Sequence, residues 1–154
     1  LMVKLFFFLF FNFLIINISF AKNIDIKEDL NLQFFCEFEK KIVKNSEYNY
    51  KVFLAEDLNV KNLDSFEIYA NQPNTLLING LSKFFSKNLN LEVKIVNNDV
   101  VLFKAFNFEK TYSESAVITR KSGELVHEIT RNIKSENSEK DISIYTCSKK
   151  QKNV

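Results

Sequence analysis

The segment from Leu30 to Glu39 most constrains the fold, because apolar and polar residues alternate along it. Its apolar positions are Leu30, Leu32, Phe34, Cys36 and Phe38, and three of the four residues between them are polar. A period of two residues places alternate side chains on opposite faces of a β-strand. The segment is therefore predicted to be a half-buried strand with Cys36 pointing inward.

Similar short apolar segments recur along the chain at 48–54, 66–70, 75–78, 91–95, 100–108, 112–120, 124–131 and 142–147. Most are separated by turn clusters such as 44–47, 97–99 and 121–123, and strands joined by tight turns pair antiparallel. The pattern predicts an all-β fold: an antiparallel meander of eight or nine strands closed as a small barrel. A two-sheet β-sandwich is the alternative, and either fold contains at most one short helix.

Two segments leave the local structure open. Asn79-Gly80 is a hairpin signal, yet Leu81, Phe84 and Phe85 recur at helical spacing, so residues 79–89 fit either a hairpin or a short helix, with the helix slightly favoured. Segment 100–108 carries apolar residues on both faces. It predicts either a bulge near Lys104 or a strand covered on both sides.

The stretch from Met2 to Ala21 has the features of a signal peptide. Lys4 is followed by an apolar run to Ile18, and small residues stand at the two positions that a signal peptidase recognises. An uncleaved anchor is disfavoured because the run is shorter than about 20 apolar residues and contains two Asn. We expect cleavage after residue 21 and one all-β domain over 22–154, ending in a frayed basic tail. The predicted location is the periplasm or the extracellular space, with no stable membrane span after cleavage.

The two cysteines, Cys36 and Cys147, lie near the two ends of the mature chain. In an exported protein an even number of cysteines favours a disulfide, whereas a redox pair usually has the spacing C-x-x-C. We therefore predict a structural bridge between the first and last strands.

Catalytic and metal chemistry find little support. His127 is the only histidine, and its alternation position predicts a hydrogen-bonded strand residue. One His and two paired Cys cannot form a structural zinc site. Two glycines in the whole chain do not supply a nucleophile elbow or a phosphate-binding loop. We expect no enzyme, no metal and no cofactor, and a hydrolase using His127 or a carboxylate pair is a minor alternative.

The charges do not indicate a nucleic-acid or membrane partner. The formal net charge is +2, which gives no electrostatic reason to expect an anionic ligand surface. The acidic pairs Glu37 with Glu39 and Glu124 with Glu128 alternate outward beside basic residues. A solvated surface accounts for them better than a glycosidase site does.

Aromatic residues supply the only functional lead. Seven of them are candidates for lining a ligand site: Phe34, Phe38, Tyr50, Phe66, Phe103, Phe106 and Tyr145. Core packing is the simpler explanation of these aromatics, and a ligand-lined cavity is the alternative. We predict a non-catalytic binding protein for an apolar small ligand, held in the interior or at the open end. The alternative is an envelope protein with an interaction or structural accessory role.

The predicted signal, meander and bridging cysteines together are similar in outline to small secreted β-barrels such as the lipocalin-like group. None of that group's short sequence motifs occurs in the chain. The resemblance implies a fold, and it carries function only weakly.

Overall fold

The structure is a computed structural model that describes residues 31–72, 75–87 and 92–149. Within these residues it contains a 3₁₀ turn at Ala55–Asp57, a single-turn helix α1 at Lys83–Lys87, and nine strands. The strands are β1 (Asn31–Lys44), β2 (Lys51–Leu54), β3 (Leu63–Gln72), β4 (Thr75–Asn79), β5 (Glu92–Val96), β6 (Val100–Phe106), β7 (Tyr112–Thr119), β8 (Glu124–Arg131) and β9 (Glu139–Lys149).

All nine strands belong to one antiparallel sheet that curls into a half-barrel. The strand order is β4-β3-β1-β9-β8-β7-β6-β5, and β2 pairs with the second half of β1. With 14 residues, β1 pairs with both β3 and β2 along one edge and with β9 along the other. The predicted all-β fold of eight or nine antiparallel strands is confirmed, with the first and last strands adjacent. The two-sheet alternative is not adopted.

The sheet has an inner face, which carries the core, and an opposite outer face. The buried apolar residues of the strands lie on the inner face: Phe34, Cys36, Phe38, Phe66, Ile68, Leu76, Ile78, Val101, Phe103, Ala105, Ala116, Ile118, Leu125, Tyr145 and Cys147. Helix α1 adds Phe85 to this core. The alternation of the sequence therefore determines which side chains enter the core.

The pairing of β1 with β9 shifts between Phe38 and Lys40, so Glu39 is an extra residue on β1. A one-residue shift moves the following side chains to the opposite face. Lys41 therefore continues the inner face after Phe38. Phe53 of β2 pairs with Lys41 and lies on the same side, whereas its neighbours Val52 and Leu54 lie on the outer face.

Strand β6 does not have the bulge that the sequence suggested near Lys104. Its pairing with β7 is continuous from Val100 to Phe106, and the register shift lies on β5 instead, between Val93 and Ile95. Alternation along β6 leaves Leu102 and Phe106 half-buried on the outer face. This strand keeps apolar residues on both sides.

Both glycines have backbone conformations in which any other residue would be strained. Gly123 has φ +77°, as expected for the turn between β7 and β8, and an added Cβ would lie 2.0 Å from the carbonyl oxygen of Cys147. Gly80 has φ +82°, and its Cβ would lie 1.9 Å from the carbonyl oxygen of Ser65. Positive φ and close backbone approach both require glycine there.

Segment 79–89 contains a helix rather than a hairpin over its described residues. Gly80 ends β4 with a left-handed residue, and Ser82 then caps α1 by accepting a hydrogen bond from the backbone N–H of Phe85 at 3.1 Å. Serine is a favoured N-cap because its hydroxyl satisfies a free N–H of the first turn. The cap and the apolar spacing together select the helix.

The predicted signal peptide, residues 1–21, lies outside the described residues. So do residues 150–154 of the predicted tail, although Ser148 and Lys149 still belong to β9. No helix in the described part of the chain is both long and apolar enough to cross a bilayer.

Candidate functional site

The inner face brings five of the seven predicted aromatic residues together. Phe34 stacks on Phe66 with ring centroids 5.7 Å apart, and Phe38 meets Tyr145 edge-on at 5.5 Å. Phe103 contacts Phe85 of α1 at 5.0 Å. All five are buried. These are favourable aromatic geometries, so the predicted residues form a packed interior.

The other two predicted aromatic residues lie elsewhere. Tyr50 is half exposed, at 50%, in the turn before β2 and has φ 58°. Tyr50 precedes the first residue of β2, so strand alternation does not reach it, and within β2 the extra residue at Glu39 turns Phe53 rather than Val52 and Leu54 inward. Phe106 lies on the outer face, where the ammonium group of Lys104 is 4.8 Å from its ring centroid. Neither residue belongs to the interior cluster.

The predicted disulfide is present between Cys36 and Cys147. The two residues lie directly opposite each other on β1 and β9. The backbone N–H of Cys147 donates to the carbonyl of Gly123 at 2.7 Å, away from β1. The cysteines therefore form a non-hydrogen-bonded pair, in which side chains approach most closely.

A buried ionic cluster lies on the inner face beside α1. Its centre is the carboxylate of Glu114 on β7, which is 2% exposed. Three donors surround it: His127 Nε2 at 2.8 Å, the Ser82 hydroxyl at 2.7 Å and the Tyr112 hydroxyl at 2.5 Å. The donors come from β8, from the start of α1 and from β7. This Glu114 cluster therefore links the sheet to the helix.

The position of the cluster follows from the strand register. His127 is directly opposite Ala116 on the β7–β8 hairpin, and Glu114 is two residues further along β7 on the same face. Diagonal neighbours across antiparallel strands are within reach of long side chains. Phe84 and Phe85 lie over the cluster, with ring centroids 5.0 Å from Tyr112 and 5.9 Å from His127, respectively.

The hydrogen bonds determine the ionisation of Glu114. Burial alone would raise its pKa, but the hydrogen bonds from His127, Tyr112 and Ser82 lower it below the ordinary value. An ionised carboxylate only accepts hydrogen bonds, so His127 carries a proton on Nε2. Burial and the neighbouring carboxylate raise the pKa of Tyr112, which keeps its phenol protonated.

A second polar group continues the inner face toward the end of the half-barrel. Asp141 Oδ2 accepts from Arg131 at 2.8 Å and lies 3.4 Å from the Lys41 ammonium. Arg131 pairs directly with Tyr112 across β7 and β8. The interior therefore changes from aromatic packing around the disulfide to charged residues at this end.

The contacts of the Glu114 cluster do not place a nucleophile against a base. The Ser82 hydroxyl donates to Glu114 rather than to His127, and it accepts from Phe85 N–H. A serine nucleophile requires the imidazole as its proton acceptor. Within the described residues, no three His, Cys, Asp or Glu side chains gather as metal ligands would. The cluster holds one negative charge in a buried position.

The sequence predicted one member of this cluster and missed the others as a group. His127 was expected to be a hydrogen-bonded strand residue, and the structure confirms this. Glu114 shares an alternation face with Ala116 and Ile118, which is the signal that marks it as an inward-facing carboxylate. Ser82 lies far from both in sequence, and only the placement of α1 brings it to them.

No protein-family model, curated protein or solved structure matches the chain.

Proposed function

We propose that this protein is an exported, non-catalytic binding protein that takes an apolar small ligand into the part of the half-barrel now filled by α1. The observation that supports this most directly is the Glu114 cluster. An ionised carboxylate in an apolar interior is costly to bury, and perturbed buried groups occur most often at functional sites. Here the carboxylate joins strands β7 and β8 to a small helix through Tyr112, His127 and Ser82.

Helix α1 is the element best suited to move. It has five residues, and helices this short are not stable without tertiary contacts. Its side-chain attachment to the sheet depends on Phe85 in the core, Phe84 on Tyr112, and the Ser82 hydroxyl on Glu114. When α1 leaves, the inner-face surface that contacts Phe84 and Phe85 becomes exposed. That surface is shaped to fit aromatic side chains, so an apolar ligand can occupy it.

The disulfide supports an exported location, because such bridges persist in oxidising compartments. It also braces the sheet at the centre of the strand order, where β1 meets β9. The strands of the two halves can then stay in place when α1 leaves. A rigid sheet with one displaceable element is an arrangement that suits a ligand site.

The test uses a fluorescent reporter, which is straightforward because the chain has no Trp. Phe84→Trp places an indole on α1, and Phe108→Trp places one at a fully exposed position as the control. The exported, oxidised chain is titrated with the neutral apolar probe N-phenyl-1-naphthylamine, and native mass spectrometry looks for a co-purified apolar mass. We expect saturable probe binding and a red shift of the indole emission in Phe84→Trp only.

Two results would contradict this function. One is a folded, oxidised chain that does not bind the probe. The other is binding that leaves the indole emission of Phe84→Trp unchanged, since the helix would then have stayed in place.

A second candidate function, an envelope protein-interaction role, is favoured by a different observation. Several large apolar side chains are exposed on the outer face and in β2, outside the interior site. Patches of this kind commonly mark interaction surfaces.

A further inference from the structure

The outer face carries a row of mostly aliphatic side chains across most of the sheet, with Lys40 as its one charged member. Residues directly opposite each other in antiparallel strands point to the same side, so the register follows this row from strand to strand. Leu54 is opposite Lys40, Lys40 is opposite Ile144, and the row continues through Val126, Val117, Leu102 and Ile95. The adjacent row on the same side begins with Val52, Ile42 and Ile142 and continues with the polar residues Glu128, Ser115 and Lys104. We call the aliphatic residues of the two rows the outer belt.

Among the described residues, no other element of the chain packs on the outer belt. A sheet with one covered face usually has polar residues on the other. Here Ile95, Leu54 and Val52 are 42%, 47% and 51% exposed, and the other belt residues are half-buried. Helix α1 packs on the inner face, so it does not cover the belt. An apolar strip of this length on the surface indicates an interaction site.

Charged groups of opposite sign border the outer belt. On one side, Glu37 and Glu124 are each opposite Thr146, and the Glu39 carboxylate accepts a hydrogen bond from the Thr146 hydroxyl. On the other side, Lys44 is directly opposite Lys140. The belt therefore has an acidic edge around Thr146 and a basic edge of Lys44 and Lys140, where Lys140 also pairs with Glu128 at 3.0 Å and, among the described residues, Lys44 supplies the main free charge.

The two edges are equidistant from the middle of the belt. Thr146 and Lys140 are each three residues from Ser143 on β9, which is about 10 Å along a strand. Ile142 and Ile144 are the neighbours of Ser143 in sequence. A half-turn about a line across the strands at Ser143 therefore exchanges the acidic edge with the basic edge and keeps the aliphatic rows facing each other.

From this symmetry we infer that the outer belt is a docking surface for a second copy of this chain. The two copies pack outer face to outer face about a two-fold axis along the belt, and because the outer face of a half-barrel is convex, they meet over the central strands β1, β9 and β8. In such an isologous contact the same patch is used twice, so the acidic edge of each copy meets the basic edge of the other. The alternative in-plane axis, parallel to the strands, would place like charges together. The inference deepens the second candidate function by naming its partner, and it does not depend on the interior site.

The first experiment measures self-association of the full chain after export and oxidation, by sedimentation velocity over a range of protein concentrations. We expect a reversible dimer. Val126→Lys places a charge at the centre of the belt and is expected to give a monomer, whereas Phe108→Lys, at a fully exposed position away from the belt, should leave the dimer intact. Far-UV circular dichroism and disulfide content check that each variant is folded.

The second experiment tests the two-fold arrangement itself. Glu37→Lys alone and Lys44→Glu alone each place like charges across the interface twice, and each should weaken dimerisation by about tenfold or more. A mixture of these two variants restores both complementary contacts, so the heterodimer should form more tightly than either homodimer. Native mass spectrometry distinguishes the three species because the variants differ in mass.

Three results would overturn the inference. A wild-type chain that stays monomeric at high concentration excludes a second copy as the occupant. A dimer that survives Val126→Lys uses another surface. A third result is a dimer that Val126→Lys disrupts but whose charge variants form no more heterodimer than homodimer. Such a dimer lacks the proposed two-fold axis. None of these results bears on probe binding in the interior, so the two proposals fail separately.

Discussion

The inner and outer faces of the sheet are both apolar, and they differ in what covers them. On the inner face, α1 packs on the strands, aromatic rings pack in pairs, and the buried Glu114 carboxylate has three hydrogen-bond donors. On the outer face, a row of aliphatic residues ends in side chains that are about half exposed. Apolar content therefore does not by itself separate core from interface. The difference lies in whether the described part of the chain packs another element on the face.

The largest loss of stability is expected when the disulfide on the inner face is removed. It joins residues 111 apart in sequence, and on the chain-entropy model a loop of that size contributes about 4 to 5 kcal/mol. Cys36→Ala combined with Cys147→Ala should lower the free energy of unfolding by up to about that amount. Urea denaturation of the oxidised wild type, the reduced wild type and the double variant measures the loss. Equal stability of all three would show that the bridge contributes little.

Two adjacent residues on β6 compare the faces directly. Phe103 is fully buried on the inner face, and Leu102 is half-buried on the outer face. Phe103→Ala should cost about 3 to 5 kcal/mol, because it leaves a cavity between β6 and α1. Leu102→Ala, measured at low protein concentration, should lower the free energy of unfolding by about 1 kcal/mol or less. Leu102 is half-buried on the outer face, so truncating it leaves no enclosed cavity within a single chain. Similar losses in urea denaturation would mean that both faces are equally enclosed.

The Glu114 cluster makes the stability of the inner face depend on pH. The folded-state pKa of Glu114 lies below its ordinary value of 4.5, so its contribution is present above that pH and is lost as the pH falls through the folded-state pKa. Glu114→Gln should cost about 1 to 3 kcal/mol at neutral pH, because the amide disrupts a buried hydrogen-bond network. It should also flatten the acid limb of a plot of unfolding free energy against pH. An acid limb identical to that of the wild type would place the titration in other groups.

The smallest loss of stability is expected from removing an ion pair on the outer face, the counterpart of the buried Glu114 cluster on the inner face. Glu128 and Lys140 are 3.0 Å apart, and each side chain is about 30% exposed. Exposed pairs of this kind contribute about 0 to 1 kcal/mol. Glu128→Gln should therefore change the denaturation midpoint only slightly, and the change should shrink further at high salt. A loss as large as that of Glu114→Gln would show that the outer face is shielded from solvent.

Much of the fold could be predicted from local pattern. All nine predicted strand segments correspond to strands of the structure, and the turn at 97–99 forms as expected, with the Asn97 side chain accepting from two backbone N–H groups. These successes rest on period-two alternation and turn chemistry, which depend on neighbouring residues. The N-terminal signal peptide, the export of the protein and its ligand binding stay predictions.

The failures occur where the sequence misjudged how far regular strand geometry extends. Tyr50 was assigned to an inward face by alternation within segment 48–54, but the strand begins only at Lys51 and Tyr50 lies in the preceding turn with φ 58°. Phe103 and Phe106 were both expected inside, which needs a bulge near Lys104. The pairing of β6 is continuous, so alternation places Phe106 outside.

The sequence by itself determined the strands, the tight turns, the inward cysteines and the inward histidine, because each depends on a few adjacent residues. Only the tertiary structure decided that β1 lies beside β9, that Ser82 reaches Glu114, and that the aliphatic residues of seven different strands line up as the outer belt. These features join residues far apart in the chain. They depend on strand order, on the bulges and on the curl of the sheet, and the period-two pattern is the same whichever strands are neighbours.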